Sequence, residues 1–162
     1  MLYILFILKI KLKYISYQVR VKTNGRFQTS IKTIWAPFYC DGKQKEIFTE
    51  LGYDIIHEDK DFFQEYKTKH YDVIIDNPPF SLFKKICICL KELDKPFIII
   101  GFSKIMLMKW FQKLFKEELQ VIIPFTRPTF THLTTPKKGY TPPFGVMYFC
   151  YKMKFNKDLI YV

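Results

Sequence analysis

From Ile31 onward the hydrophobic positions are of two alternating kinds: short continuous apolar runs, and stretches in which apolar residues return every three or four places. The first kind predicts strands over 31–38, 53–57, 71–75, 97–100, 119–123 and 146–153. The second predicts helices between them. One opens at Asp41-Gly42, turns Ile47, Phe48 and Leu51 to one face and stops at Gly52. Residues 62–69 read as a short helix or loop. Ser81 can cap a helix carrying Leu82, Ile86, Leu90 and Leu93, which Pro96 closes, and a further helix near Ser103 would bury Leu107, Trp110, Phe111, Leu114 and Phe115. Strand and helix alternate four times, which predicts an α/β domain: a mostly parallel sheet with helices on both faces. The segment 124–144, with five prolines, breaks the alternation, so 146–153 is expected as an antiparallel last strand.

Upstream, Ile10 to Lys22 alternates apolar and polar residues with a slip at Tyr14-Ile15, the pattern of a bulged edge strand whose lysines discourage edge pairing. A basic membrane-surface segment is the alternative. Thr23-Asn24-Gly25 is a turn signal. Residues 1–30 therefore read as an N-terminal extension, 31–154 as one domain and 155–162 as a C-terminal tail. A chain of 162 residues that is 49% hydrophobic and 19% aromatic can supply one sizeable core. The apolar run Leu2 to Leu8 is far shorter than the roughly 20 residues that span a bilayer, and its lysines follow rather than precede it, against a secretory signal. With no C-x-x-C pair among Cys40, Cys87, Cys89 and Cys150, and His57, His70 and His132 scattered, neither disulfides nor a metal site is expected, and an intracellular, reducing compartment is.

A net charge of +11 suits a partner rich in phosphate, DNA or RNA, although dispersed lysines also arise from coding bias and no long basic run marks a nucleic-acid tail. Asp76-Asn77-Pro78-Pro79-Phe80 directly follows an apolar strand, and so belongs at the carboxyl end of the sheet, where open α/β folds place ligands. Consecutive prolines fix their own φ angles and hold the preceding residue extended, presenting the Asn77 amide and the Pro78 carbonyl rigidly. Such acceptors suit an aromatic amine, whose lone pair is delocalised into its ring: held by them, the nitrogen adopts the pyramidal, attacking geometry. Phe80 would stack on the ring. The plainer alternative is a turn in which Pro-Pro ends the strand and Phe80 packs. Glu58, ending the second strand, is placed to accept hydrogen bonds from ribose hydroxyls, or belongs with Asp59 and Asp61 to a solvated corner.

Asn77-Pro78-Pro79-Phe80 resembles the (D/N/S)-P-P-(Y/F/W) motif that follows the fourth strand of class I S-adenosylmethionine-dependent amino-methyltransferases. The resemblance covers about residues 31–153 and implies a Rossmann-like methyltransferase fold, with Asn77 and Pro78 on the target amine and Phe80 on the substrate ring. Pro37-Phe38-Tyr39-Cys40-Asp41-Gly42 stands where that family has its glycine-rich cofactor loop, although only Gly42 of the usual glycines is present. Asp61-Phe62 resembles the family's D-(F/L/I) step around the cofactor's adenine. Pro37, Tyr39, Asp41, Gly42, Glu58, Asp61, Phe62 and Asp76 are thereby the expected cofactor-binding residues, for S-adenosylmethionine. Gly25-Arg26-Phe27-Gln28-Thr29-Ser30 looks like the G-R-(F/Y)-x-T-P floor of the cofactor pocket, but the helix that separates that segment from the first strand has no room here.

The 124–144 segment is expected beside the motif, with Arg127, Lys137 and Lys138 for phosphates and Phe130 and Tyr140 for bases, the alternative being a loop whose lysines are simply solvated. The function this predicts is methylation of an exocyclic amine of a nucleic-acid base, adenine N6 before others. A non-catalytic nucleic-acid-binding or structural relative, and a protein-glutamine methyltransferase, are the alternatives.

Overall fold

A computed structural model describes residues 2–3, 20–23, 26–29, 31–40, 42–126, 131–132 and 143–162. Three short strands come first: β1 (Leu2–Tyr3), β2 (Arg20–Thr23) and β3 (Arg26–Thr29). β2 pairs antiparallel with β3, Thr23 opposite Arg26, as an Asn-Gly pair between two strands predicts. Of the edge strand expected over 10–22, only Arg20–Lys22 is described, and its partner is β3 rather than the main sheet.

The alternation then appears as predicted in kind: β4 (Thr33–Trp35), α1 (Lys43–Glu50), β5 (Asp54–Ile56), α2 (Phe62–Glu65), β6 (Val73–Asp76), α3 (Phe83–Leu93), β7 (Phe97–Phe102), α4 (Lys109–Phe115) and β8 (Leu119–Ile123). β9 (Thr131–His132) pairs with β1, and β10 (Val146–Tyr151) and β11 (Leu159–Tyr161) complete the chain. Seven of these strands form one sheet in the order β11-β8-β10-β7-β6-β4-β5. β5, β4, β6 and β7 run parallel, and β10 lies antiparallel between β7 and β8.

Two expectations are corrected here. The antiparallel strand is not the last, because β11 follows it and pairs parallel with β8; and residues 155–162 are not a tail. Their anchor is Gln120 on β8, whose side chain donates to the Phe155 carbonyl (2.9 Å) and accepts from the Phe155 N–H (2.8 Å), while Phe155 and Ile160 are buried.

Because neighbouring strand residues point to opposite faces, the sheet feeds two cores. Ile34, Ile75, Ile98 and Ile100 join Phe48 of α1 on one side; Trp35, Ile74, Phe97 and Ile99 join Phe62, Phe83, Ile86, Leu90, Phe111 and Phe115 from the other helices. Each fully buried side chain of this size contributes about 1.5–3 kcal/mol as an upper figure. α3 lies so close to β7 that a Cβ on Gly101 would come within 2.6 Å of the Phe83 ring and 2.8 Å of Phe149. Ser81 does not cap α3: a 3-10 turn over Phe80–Leu82 precedes the helix, whose N-cap is Leu82, without a side-chain bond. Leu107 is not buried either. It ends a second 3-10 turn, Ser103–Leu107, and is 80% exposed, α4 starting only at Lys109.

Candidate active site

From β4 the chain goes to β5 on one side and then to β6 on the other, so the strand order reverses at β4; in open α/β folds such a reversal is where a ligand crevice forms, here beyond the carboxyl ends of β4 and β6. Asp76 closes β6 at this crevice, and Asn77 to Phe80 continue from it. β6 is fastened to β4 at both ends by carboxylates. At its start Asp72 accepts from the N–H groups of Lys32 (2.8 Å) and Thr33 (2.9 Å). At its end Asp76, 4% exposed, accepts from Phe38 N (2.6 Å), Gln44 Nε2 (2.9 Å) and its neighbour Asn77 N (2.7 Å). Burial pushes the Asp76 carboxyl up to about 6, against those hydrogen bonds and the nearby His57, which pull it down. Its side chain thus holds the loop after β4 and the first turn of α1 against the Asn-Pro-Pro-Phe segment.

That loop is shaped around Gly42. Its φ of +76° belongs to the left-handed region, and a Cβ there would stand 2.8 Å from the Tyr39 hydroxyl. Tyr39, 40% exposed, lays its ring against His57 with centroids 4.9 Å apart, and Pro37 and Phe38 are buried beneath. Asp41 lies outside the described residues.

Glu58 is exposed and turned to Lys69 (2.6 Å) and Lys60 (3.5 Å), and the hydrogen bond from Lys69 holds its carboxylate below the usual range. The buried polar group here is its neighbour His57, 6% exposed, with Nδ1 2.7 Å from the Ala36 carbonyl. A carbonyl only accepts, so Nδ1 carries the proton, and the buried Nε2 has no hydrogen-bond partner among the described residues. Asp61 caps α2, accepting from Phe63 N (2.7 Å), and Phe62 is a core residue, 5.1 Å from the Phe38 ring and 5.7 Å from Trp35.

Beside the motif, Phe80 rests on Phe102 (centroids 4.1 Å), which meets Phe144 edge-on (4.3 Å). All three are half-buried, so the ends of β6 and β7 and the start of β10 carry an aromatic surface next to Asn77. Pro78 is buried. Gln44, His57, Phe102 and Phe144 were not singled out by the sequence. The only signals were positional: a first helical turn, a strand end, and aromatic residues flanking two strands. Arg127, Phe130, Lys137, Lys138 and Tyr140 lie outside the described residues. Among the described residues no group of three His, Cys, Asp or Glu could hold a metal ion, and no helix is long and apolar enough to cross a membrane.

Residues 11–126, more than half of the chain, match the family model described as adenine-specific methyltransferase EcoRI. The chain belongs to this family. It is therefore a methyltransferase of the adenine-specific kind, and the matched span takes in the loop after β4, the β5 end and the Asn-Pro-Pro-Phe segment. No curated protein matches the chain. Membership implies a methyl donor.

Proposed function

We propose that the protein transfers a methyl group from S-adenosylmethionine to the exocyclic N6 amine of adenine in DNA, on a Rossmann-like methyltransferase fold whose catalytic unit begins at residue 31. The observation that carries this reading is the position of Asn77-Pro78-Pro79-Phe80: at the carboxyl end of β6, next to β4 where the strand order reverses, and beside an aromatic surface. DNA as the substrate suits the +11 charge and puts the reaction inside the cell.

The residues present fit the donor. An adenosyl group needs polar partners at the carboxyl ends of β4 and β5, and His57 Nε2 is a buried atom there without one among the described residues. The left-handed turn at Gly42, which a glycine adopts without strain, brings the Tyr39 hydroxyl over the loop. Pro37, Tyr39, Gly42 and His57 would hold the donor, with Asp61 and Phe62 at its adenine. Asp76 acts through the loop that it fastens, and Glu58, engaged by Lys69, is left with a smaller part. S-adenosylmethionine supplies a methyl group on a positively charged sulfur that a nitrogen lone pair can displace. The chain's own part is to bring that lone pair to bear. The Asn77 side-chain oxygen and the Pro78 carbonyl accept the two amine protons, drawing the nitrogen out of conjugation with the ring. Phe80 stacks on the base, and Phe102 backs Phe80. A duplex adenine must leave the stack to reach them.

Transfer of a labelled methyl group to mixed DNA, RNA and protein tests this reading. DNA should be labelled, and Asn77→Ala should lower turnover on the order of a hundredfold while donor affinity changes much less. Equal incorporation by wild type and Asn77→Ala would refute the role of Asn77; labelling of protein or RNA in place of DNA would refute the substrate.

A further inference from the structure

The turn between β7 and α4, at the carboxyl end of β7, presents bare apolar side chains to solvent. Met106, Leu107 and Met108 are 41%, 80% and 42% exposed, three consecutive apolar residues with Leu107 the barest. Their placement is rigid. Ile105 is buried below them, Met108 N donates to the Ile105 carbonyl (3.0 Å), Gln112 Nε2 donates to the Met106 carbonyl (2.9 Å), and the N–H groups of Phe111 (2.9 Å) and Gln112 (3.1 Å) donate to the Met108 carbonyl. The knuckle also sits next to the motif, since it follows Phe102, whose ring touches Phe80.

Its electrostatic setting has one sign. The sequence has no Asp or Glu between Asp76 and Glu92, or between Asp94 and Glu117, and Glu92 and Asp94 lie at the far end of α3. Lys84, Lys104 and Lys109 are exposed around the knuckle, with Lys104 Nζ 5.6 Å from the Phe102 ring centre and Lys84 Nζ 5.7 Å from that of Trp110. None of the three forms an ion pair with another described residue. An apolar tip ringed by cations matches a surface of stacked bases edged by phosphates.

We propose that this knuckle is a wedge for duplex DNA: Leu107 enters the base stack beside the adenine that leaves it, and Lys104 and Lys109 meet the flanking phosphates. This rests on the reading of Asn77 and Phe80 as the adenine site, and it supplies what that reading lacks, a means of opening the duplex. Unstacking a base step is costly, and an inserted apolar side chain replaces the lost stacking contacts.

The test uses the full chain and two probes. One is a set of short mixed-sequence duplexes with 2-aminopurine in place of adenine, whose fluorescence rises on unstacking; the other is genomic DNA in native and heat-denatured form as methyl acceptor. Leu107→Ala should keep the wild-type melting temperature, since Leu107 packs on little. It should lose most of the fluorescence rise and label native DNA about tenfold less than wild type, with a smaller loss on denatured DNA. Leu107→Met should retain most of both signals. Equal losses on the two forms of DNA, or no loss, would overturn the wedge while leaving the adenine site standing. If wild type labels neither form, the adenine reading falls and fluorescence alone decides: a rise that depends on Leu107 upholds duplex opening, and its absence overturns it. Leu107-dependent binding to vesicles of phosphatidylglycerol and phosphatidylcholine, or Leu107-dependent dimerisation, with no response to duplex, would also overturn the proposal.

Discussion

Replacing Asp76 by Asn tests the joint between the loop after β4 and the motif, because it keeps the shape of the side chain and removes only its charge and one acceptor. The carboxylate receives three donors, Phe38 N, Gln44 Nε2 and Asn77 N. Gln44 can turn its amide and offer Oε1, which has no partner among the described residues, to the new NH2 group. Phe38 and Asn77 cannot, since backbone N–H groups only donate, so one of the two is orphaned whichever way the introduced amide is turned. The cost is about 1–3 kcal/mol, independent of pH. Against it stands the cost of ionising a buried acid. Burial raises Asp76 from 3.8 to about 6, so between about pH 4 and pH 6 the folded protein keeps a proton that the unfolded chain has released. The stability contributed by this group falls as pH rises through that window and levels off above it, a loss of about 3 kcal/mol. The Asp76→Asn variant has no such loss. It should therefore be less stable than wild type by about 1–3 kcal/mol near pH 4 and equal or slightly more stable near pH 7. Urea unfolding followed through the buried Trp35 on β4, at closely spaced pH values, measures the difference. A difference that stays constant from pH 4 to 7, or grows in favour of wild type, would show that Asp76 does not titrate as a buried acid, and the joint as described would be wrong.

Gly42→Ala should cost about 1–2 kcal/mol from its left-handed backbone and weaken donor binding, and Tyr39→Ala in the same chain, which frees space but leaves the φ of +76° in place, should not restore the stability. Unfolding and calorimetric titration with S-adenosylmethionine read the two effects, and a Gly42→Ala chain identical to wild type in both would refute the loop geometry. In the same titration His57→Ala should weaken the donor severalfold and Glu58→Gln hardly at all, since the first is buried at the crevice and the second is paired with Lys69; the opposite order would restore the acidic residue to the donor site. Tyr151 hydrogen-bonds Asp94 (2.6 Å), Glu118 (3.0 Å) and Lys91 (2.9 Å) at the end of the sheet away from the motif, so Tyr151→Phe should lower stability by about 1–2 kcal/mol and leave donor affinity as it was. A change in donor affinity would mean that the two ends are coupled.

The strands were legible because most of them are buried on both faces. A run such as Phe97 to Ile100, with every residue about 1% exposed, has no polar alternation to confuse it, and its neighbour Val73 to Asp76 is buried throughout. Location of the motif followed from the same fact, since Asp76 to Phe80 continues the second of these runs. β11 was not legible: it has three residues, of which only Ile160 is buried, it pairs with β8, and the segment leading to it is held by the side chain of Gln120, 35 positions before Phe155. Leu107 misled for a related reason. Its spacing to Trp110 and Phe111 is helical, but the turn ends before the helix begins, and apolar residues left on a surface carry the same hydrophobic signal as residues of a core.

His57 and Glu58 show where pattern stops being informative. Adjacent residues at a strand end point to opposite sides, so only one of them can face the crevice. β5 cannot say which, because Ile55 and Ile56 are both half-buried and the strand shows no contrast between its faces. Chemistry then favours the carboxylate as the partner for ribose hydroxyls. The structure reverses that preference through two contacts: Lys69, 11 positions further on, draws Glu58 outward, and the Ala36 carbonyl, 21 positions earlier, draws the imidazole in. The Ala36 bond fixes the tautomer as well as the position. With Nδ1 donating to the carbonyl, a neutral ring offers Nε2 only as an acceptor, which is the role a carboxylate would have had toward a ribose hydroxyl. Under the proposed function, recognition at the end of the second strand would keep its chemistry while moving by one residue, and the exposed acid builds a surface ion pair instead.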